Sequence, residues 1–236
     1  TGKMAYNKNK IVELSEALKQ QTERAFSQGV DVVNLLYEGH STTSIYAVPS
    51  LGIDPSCGEE IFLDKNNNRT YKWQADSRRL VGDSEPKYRG NISSLFSYKD
   101  LTVNLSFAYH WGGQQYNNTI LNRVEVSRSQ ILYNVDRRVY TDRWMKPGDV
   151  VPYKKVGILP TRMSSRFVQD DNMFSLQSVS VSYRWHSDWL RKNLKLQSVT
   201  FNANMSDLFY FSTIKRERGT SYPYSRQMLF DISFLF

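Results

Sequence analysis

The stretch "LTVNLSFAYH", residues 101–110, decides how this chain is read. Leu101, Val103, Leu105, Phe107 and Tyr109 take the odd positions, and Thr102, Asn104, Ser106, Ala108 and His110 the even ones. Such strict alternation describes a strand with one apolar face and one small, polar face. Just upstream lies "YRGNISSLFSY" (88–98), separated from it by Lys99-Asp100 alone. So short a connection predicts a hairpin. The alternation returns in 174–185, where Val179, Val181, Tyr183 and Trp185 oppose Ser178, Ser180, Ser182 and Arg184. It returns again in 194–205, through Gln197, Val199, Phe201, Ala203 and Met205. It returns last in "RQMLFDISFLF", where Met228, Phe230, Ile232, Phe234 and Phe236 share a face.

The connections between these strands alternate in length. They are short at 99–100, long at 111–173, short at 186–193 and long at 206–226. In the 186–193 connection, Ser187 or Asp188 is placed to cap one helical turn. Bacterial outer-membrane barrels have this asymmetry, with short periplasmic turns and long extracellular loops. On that reading 111–173 and 206–226 are extracellular, 99–100 and 186–193 are periplasmic, and strand 227–236 runs toward the periplasm. Phe107 then faces lipid and Ser106 the lumen. The chain has no apolar run long enough for a transmembrane helix, but a tilted strand of about ten residues crosses a bilayer without one. A mean hydropathy of −0.55 therefore does not exclude a membrane. Periodicity alone also fits a soluble β-sandwich. The lopsided loops and the aromatics near strand ends (Tyr98, Tyr109, Trp111, Trp185) favour the barrel.

The segment "NKIVELSEALKQQTERAF" (9–26) carries Ile11, Leu14 and Leu18 at roughly helical spacing, in a short helix or a strand end before a loop. Turn signals follow at Asp54-Pro55, Gly58 and Asn66–Asn68, with short strand-like pieces at Ile61–Leu63 and Thr70–Trp73. They predict hairpins within a large loop region. The net charge of +8, from 31 basic and 23 acidic residues, reads as scattered. Doublets such as Arg78-Arg79 and Arg137-Arg138 lie in polar stretches and read as solvated loops, with no nucleic-acid partner expected. The lone cysteine, Cys57, permits no internal disulfide. His40, His110 and His186 lack metal-ligand spacing. No phosphate loop or Gly-x-Ser-x-Gly is present. The adjacent acids Glu59-Glu60 and Asp170-Asp171 would point opposite ways on a strand, which argues against a catalytic carboxylate pair. We expect no enzyme activity, no cofactor and no metal, with calcium in the acidic loops as the alternative. In the loops 110–118 and 142–149, Trp111, Gln114, Tyr116 and Trp144 are candidate contacts for a sugar or peptide. Loop packing or contact with a partner lid is the competing reading.

The blocks "STTSIYAVPSLGIDPSCGEEIFL", "VGDSEPKYRGNISSLFSYKDLTVNLSFAY", "SSRFVQDDNMFSLQSVSVSYRW" and "YPYSRQMLFDISFLF" resemble, in order, the C-terminal barrel region of SusC-like (SusC/RagA-type) TonB-dependent outer-membrane transporters. Asp207-Leu208-Phe209 stands where the family usually carries an Asn-Leu-Phe-like motif, and Cys57 where a threonine is common. The resemblance covers nearly the whole chain. It implies an all-β fold, the C-terminal part of a large antiparallel transmembrane β-barrel of roughly 22 strands around a plug. It implies that residues 1–236 are only the C-terminal segment, with the plug and TonB-contacting segment elsewhere; "TGKMAYNKNK" at the start reads like the middle of a longer protein. It further implies import of oligosaccharides or peptides, a SusD-like surface lipoprotein, energy from TonB, contact with outer-membrane lipid, and Phe236 as a signal for barrel assembly. A soluble or secreted β-sandwich that binds glycans or acts as an adhesin is the alternative function.

Overall fold

The computed structural model describes residues 1–27, 35–133, 135–214 and 227–236. In chain order the elements are β1 (Gly2–Tyr6), α1 (Glu16–Ser27), β2 (Ser44–Ala47), β3 (Ser50–Ile53), β4 (Glu60–Leu63), β5 (Arg69–Thr70), β6 (Arg79–Asp83), β7 (Tyr88–Tyr98), β8 (Leu101–Tyr116), α2 (Arg138–Thr141), β9 (Val168–Trp185), β10 (Ser198–Ser212) and β11 (Met228–Leu235). They divide between two compact units. One comprises 1–7, 86–112 and 171–236, and the other 8–85 and 113–170.

The first unit is built on a six-stranded sheet in the order β1-β7-β8-β9-β10-β11. The pairs β1–β7, β7–β8, β9–β10 and β10–β11 are all antiparallel, and short connections join β7 to β8 and β9 to β10. The β7–β8 hairpin turns on Lys99, whose φ of 51° is left-handed. Before β10 a helical turn spans Leu190–Leu194, with the Ser187 hydroxyl accepting the Leu190 N–H at 3.3 Å, as its capping role predicts. This turn starts β10 at Ser198 rather than Leu194, because Leu190 and Leu196 bury themselves against Val199. β10 also runs on to Ser212, past the expected end at Met205. A register shift between Ser206 and Phe209, where Asp207 has a φ of 57°, breaks the alternation without ending the strand. The sheet strands β8 and β9 are likewise longer than expected, so the described part of the long loop between them is 117–133 and 135–167. Within the expected 206–226 loop, residues 215–226 lie outside the described residues.

Gly90 shows how β1 is held. It pairs across β7 and β8 with Tyr109, whose hydroxyl donates to the Lys3 carbonyl at 3.2 Å. A Cβ at Gly90 would collide with the Lys3 carbonyl oxygen and the Tyr109 phenol. The glycine is the gap through which the phenol reaches the third strand. Gly90→Val should therefore cost about 1–3 kcal/mol through overpacking, and release β1 first. A lowered unfolding temperature with early hydrogen exchange at 2–6 is the expected reading.

The second unit is the hairpin-rich loop region expected from the turn signals. β3, β4 and β5 form one small sheet and β2 and β6 another. Ile45, Tyr116, Ile120, Val124, Tyr153 and Phe167 form its core. Of the segment carrying Ile11, Leu14 and Leu18, the part from Glu16 onward forms a helix, α1, and Ile11 and Leu14 lie before it. Arg78, expected in a solvated loop, is buried instead. Its guanidinium donates to the carbonyls of Phe26 at 2.9 Å and Ala25 at 3.4 Å, and lies over the Phe26 ring. A cation there satisfies the carbonyls at the end of α1 and opposes its dipole.

Candidate functional site

Directly paired residues of an antiparallel sheet project to the same side, so the register assigns faces. Ile92 pairs with Phe107, Phe96 with Val103, and Tyr98 with Leu101. Across the sheet, Phe201 pairs with both Tyr183 and Ile232, and Ala203 with both Val181 and Phe230. Between the two halves the Phe107 and Phe174 rings stack with centroids 5.5 Å apart. Most side chains of this face are uncovered, with Phe96 59% exposed and Phe230 71%, while Tyr109 and Val199 near its two ends are buried. On the other face Ser93 pairs with Ser106, Asn204 with Ser180, and Asn202 with Asp231, its amide donating to that carboxylate at 2.7 Å. Soluble monomers rarely expose apolar patches larger than a few hundred Å².

The apolar face has a marked upper edge. Tyr6 pairs with Tyr88 and Tyr88 with Trp111, so three half-exposed aromatics form one row across three strands. The Tyr6 and Tyr88 rings lie 5.2 Å apart, and Trp111 stacks on Tyr109 at 4.8 Å. Tyr98 and Trp185 stand at the opposite end. Ten steps of about 3.3 Å, tilted by about 40°, separate the two ends by about 25 Å, the height of the apolar band of an outer-membrane barrel.

The four candidate ligand contacts divide between the two units. Trp111 belongs to the aromatic row of the first unit, and the other three to the second unit. Gln114 accepts the Asp83 N–H at 3.1 Å and donates to Asp170 at 3.2 Å. Tyr116 is only 7% exposed, its ring packed in the core against Phe167. Trp144 donates from Nε1 to the Pro55 carbonyl at 2.8 Å and lies over Gly58, where a Cβ would strike its ring. These contacts are those of loop packing. Among the described residues no group of three or more His, Cys, Asp or Glu could hold a metal ion. The adjacent acids do diverge: Glu59 pairs with Lys155 at 3.0 Å, whereas Glu60 turns inward.

Glu60 belongs to a buried ionic knot that sequence reasoning missed. Arg166 reaches Glu60 at 2.9 Å with Nη2, and Glu125 at 2.7 Å with Nη1, which also donates to the Pro152 carbonyl. Ser164 donates to Glu60, while Thr161 and the Lys154 N–H donate to Glu125. Burial alone would lower the Arg166 pKa, but the two carboxylates outweigh it and raise it. The buried Arg143 donates to the Val124 carbonyl at 3.0 Å; burial lowers its pKa and Glu125 opposes the shift. Two carboxylates and two guanidinium groups thus balance in charge and tie four stretches of the loop region together.

Asp54 organises the turn under Trp144. Its Oδ1 accepts both the hydroxyl and the N–H of Ser56, at 2.6 and 2.8 Å, and its Oδ2 accepts the Tyr71 hydroxyl at 2.5 Å. The Ser56 hydroxyl, then the Tyr71 hydroxyl, hold its pKa down to about 2. The hydrogen bond to Asp54 pushes Tyr71 up to about 12. Asp54 therefore stabilises the turn above its unfolded pKa of about 3.9, a contribution lost as pH falls toward 2. Tyr71 stabilises it below about pH 10, a contribution lost as pH rises toward 12. Asp54→Asn should return Tyr71 to an ordinary phenol titration, read as the absorbance difference from a matching Tyr71→Phe protein.

With this geometry in place, the comparisons with known proteins agree with the family likeness read from the sequence. TonB-dependent receptor P39 of Formosa agariphila is 23% identical over 159 residues, 66% of this chain and 15% of the relative. TonB-dependent receptor P3 of the same organism is 24% identical over 222 residues, 87% of this chain and 21% of the relative. Among solved structures, the RagAB peptide importer in its open-open state matches 100% of this chain and 26% of its own, with a TM-score of 0.75 and 16% identity. A RagAB peptide transporter structure matches 77% of this chain with a TM-score of 0.65 and 17% identity. No family model matches. The chain spans about a fifth of the length of these relatives. The fold is that of the RagA-type antiparallel barrel, of which the six-stranded sheet forms a stretch of wall.

Proposed function

We propose that residues 1–236 are the C-terminal segment of the barrel of a SusC-like TonB-dependent outer-membrane nutrient importer, with its plug and TonB-contacting segment outside this stretch. The observation that carries this reading is the exposed apolar face running across all six strands and bounded by the Tyr6–Tyr88–Trp111 row. Lipid covers that face, and the polar face lines the lumen. Among the described residues β1 pairs only with β7 and β11 only with β10. Edges left unpaired in lipid are too costly, so further strands of the full protein join both. The cargo is an oligosaccharide or a peptide, and the likeness in fold to the RagAB peptide importer favours the peptide. A SusD-like surface lipoprotein covers the extracellular side, and TonB drives uptake through the plug. The resemblance assigns Phe236 to the assembly signal. Of the candidate ligand contacts, Gln114 is already engaged by Asp83 and Asp170, and Trp111 is better used at the lipid boundary.

Sidedness gives the test. In a Cys57→Ser background of the full-length protein, Val150→Cys should react with a membrane-impermeant maleimide on intact cells. Asp188→Cys should react only after the outer membrane is opened. Both side chains are exposed, so accessibility reports topology rather than packing. The reverse pattern overturns the topology, and recovery of both variants as soluble secreted protein restores the β-sandwich alternative.

A further inference from the structure

The turn between β9 and β10 does more than reverse the chain. Its Leu190 forms a buried cluster with Leu196 and Val199, at 1%, 7% and 5% exposure. Val199 pairs with Trp185 on one side and Phe234 on the other, so it belongs to the apolar face of the sheet. The cluster therefore draws the helical turn Leu190–Leu194 over the lower end of that face, opposite the Tyr6–Tyr88–Trp111 row. Backbone contacts hold it there. The Arg191 N–H donates to the Ser187 carbonyl at 3.3 Å, and the Leu196 N–H to the Leu190 carbonyl at 3.3 Å. Lys195, with a φ of 54°, closes the turn. Trp189 and Leu194 belong to the same turn and are half-exposed. Beside them stand Arg191, Lys192 and Lys195, all exposed. Residues 186–195 hold these three cations against Asp188 alone, so three minus one gives +2. Among the described residues no ion pair engages any of the three. Asp100, in the adjacent β7–β8 turn, is taken by His186 at 3.1 Å.

We propose that this turn is an interfacial foot that binds the phosphate of anionic phospholipids in the periplasmic leaflet. It rests on the function proposed above, which sets lipid against the apolar face and places this turn at the periplasmic end. A connection that only reversed the chain would project beyond the sheet into water, whereas this one is folded back onto the side that meets lipid. At headgroup level water still satisfies its irregular backbone, which hydrocarbon would not. Three like charges within five residues repel one another, and a shared anion offsets that repulsion. Lysine and arginine lay their stems along apolar surface and keep their charged heads at the headgroups. Trp189 brings the amphipathic ring that membrane–water interfaces select, and Leu194 adds apolar area at the acyl boundary. Each basic residue near an anionic lipid surface raises affinity about fivefold, so three cations discriminate strongly against zwitterionic lipid.

The test uses the full-length receptor in phosphatidylcholine vesicles, with an environment-sensitive fluorophore on Asn193→Cys in the Cys57→Ser background. Position 193 is exposed beside the three cations. Brominated phosphatidylglycerol or brominated phosphatidylcholine is added as a minor component, and the fraction of each that gives half-maximal quenching is compared. Phosphatidylglycerol should quench at a fraction about tenfold lower, and high salt should narrow the gap. Arg191→Glu/Lys192→Glu/Lys195→Glu should abolish the preference while both lipids still quench. That variant changes only exposed side chains; if it nevertheless fails to insert, the salt dependence of the parent's preference decides. Equal quenching by the two lipids in the parent, a preference insensitive to salt, or a preference kept by the triple variant overturns the headgroup site. No quenching by either lipid, while the same fluorophore on Phe107→Cys is quenched, shows a water-facing turn and overturns it too. If the fluorophore on Phe107→Cys is not quenched either, the barrel-wall reading fails and this proposal falls with it.

Discussion

Arg166→Met is expected to destabilise the loop-borne unit by about 3–5 kcal/mol, the cost of leaving buried carboxylates without their counter-charge. Glu60 and Glu125 are almost wholly excluded from solvent, and Arg166 is the side chain that touches both. Methionine fills much of the volume and supplies none of the hydrogen bonds. The loss should appear as protease cleavage within 113–170 of the folded full-length protein, at temperatures where the parent is resistant. Glu60→Gln/Arg166→Met should recover part of it, because the amide still accepts from Ser164 while one buried charge is gone. Arg166→Lys should not rescue, since a single ammonium cannot serve two carboxylates and the Pro152 carbonyl in the geometry of a planar guanidinium. Parental protease resistance in Arg166→Met would show that the knot contributes nothing measurable.

The contrast between the knot and the strands explains what could be read from the sequence. β8, β9, β10 and β11 were legible because one apolar and one polar face impose a period of two on consecutive residues. That signal fades where the constraint ends. Gly112 and Gly113 interrupt it although β8 continues to Tyr116, and Asp207 interrupts it inside β10. The knot leaves no local trace: its members are 106 and 41 residues apart, and each looks like an ordinary surface charge. The same is true of Arg78, buried against the end of α1 across more than 50 residues. The reading of the basic residues as scattered also needs correction, since 117–167 hold most of the net charge. Trp111, Gln114, Tyr116 and Trp144 have the residue types of a ligand platform, but nothing local records that Tyr116 enters a core and Trp144 lies on a glycine. Gly90 was the one overlooked signal within reach. A glycine inside an otherwise alternating strand marks a close approach, and Tyr109 makes it.

Phe107→Arg should cost about 2–4 kcal/mol of stability in the bilayer, and Ser106→Arg far less. The two residues are neighbours on β8 with opposite faces. Phe107 pairs with Ile92 on the exposed apolar side, and Ser106 with Ser93 on the polar side. Six steps of about 3.3 Å from Leu101, tilted by about 40°, lift Phe107 about 15 Å, close to the middle of a 25 Å apolar band, where a guanidinium is costliest. From that depth even the long arginine side chain reaches water only by bending its stem along the sheet. The substitution also removes the stack with Phe174, worth about 0.5–1.5 kcal/mol, and that ring contact helps join β8 to β9. Arginine at position 106 enters a face already carrying Arg89, His110 and Arg184, where water solvates it. Refolding of the full-length protein into lipid vesicles across a urea series separates the two outcomes. A shifted midpoint for Phe107→Arg, with Ser106→Arg near the parent, is the expected result. Equal midpoints would mean that neither face meets hydrocarbon, and the barrel-wall reading would fall with them.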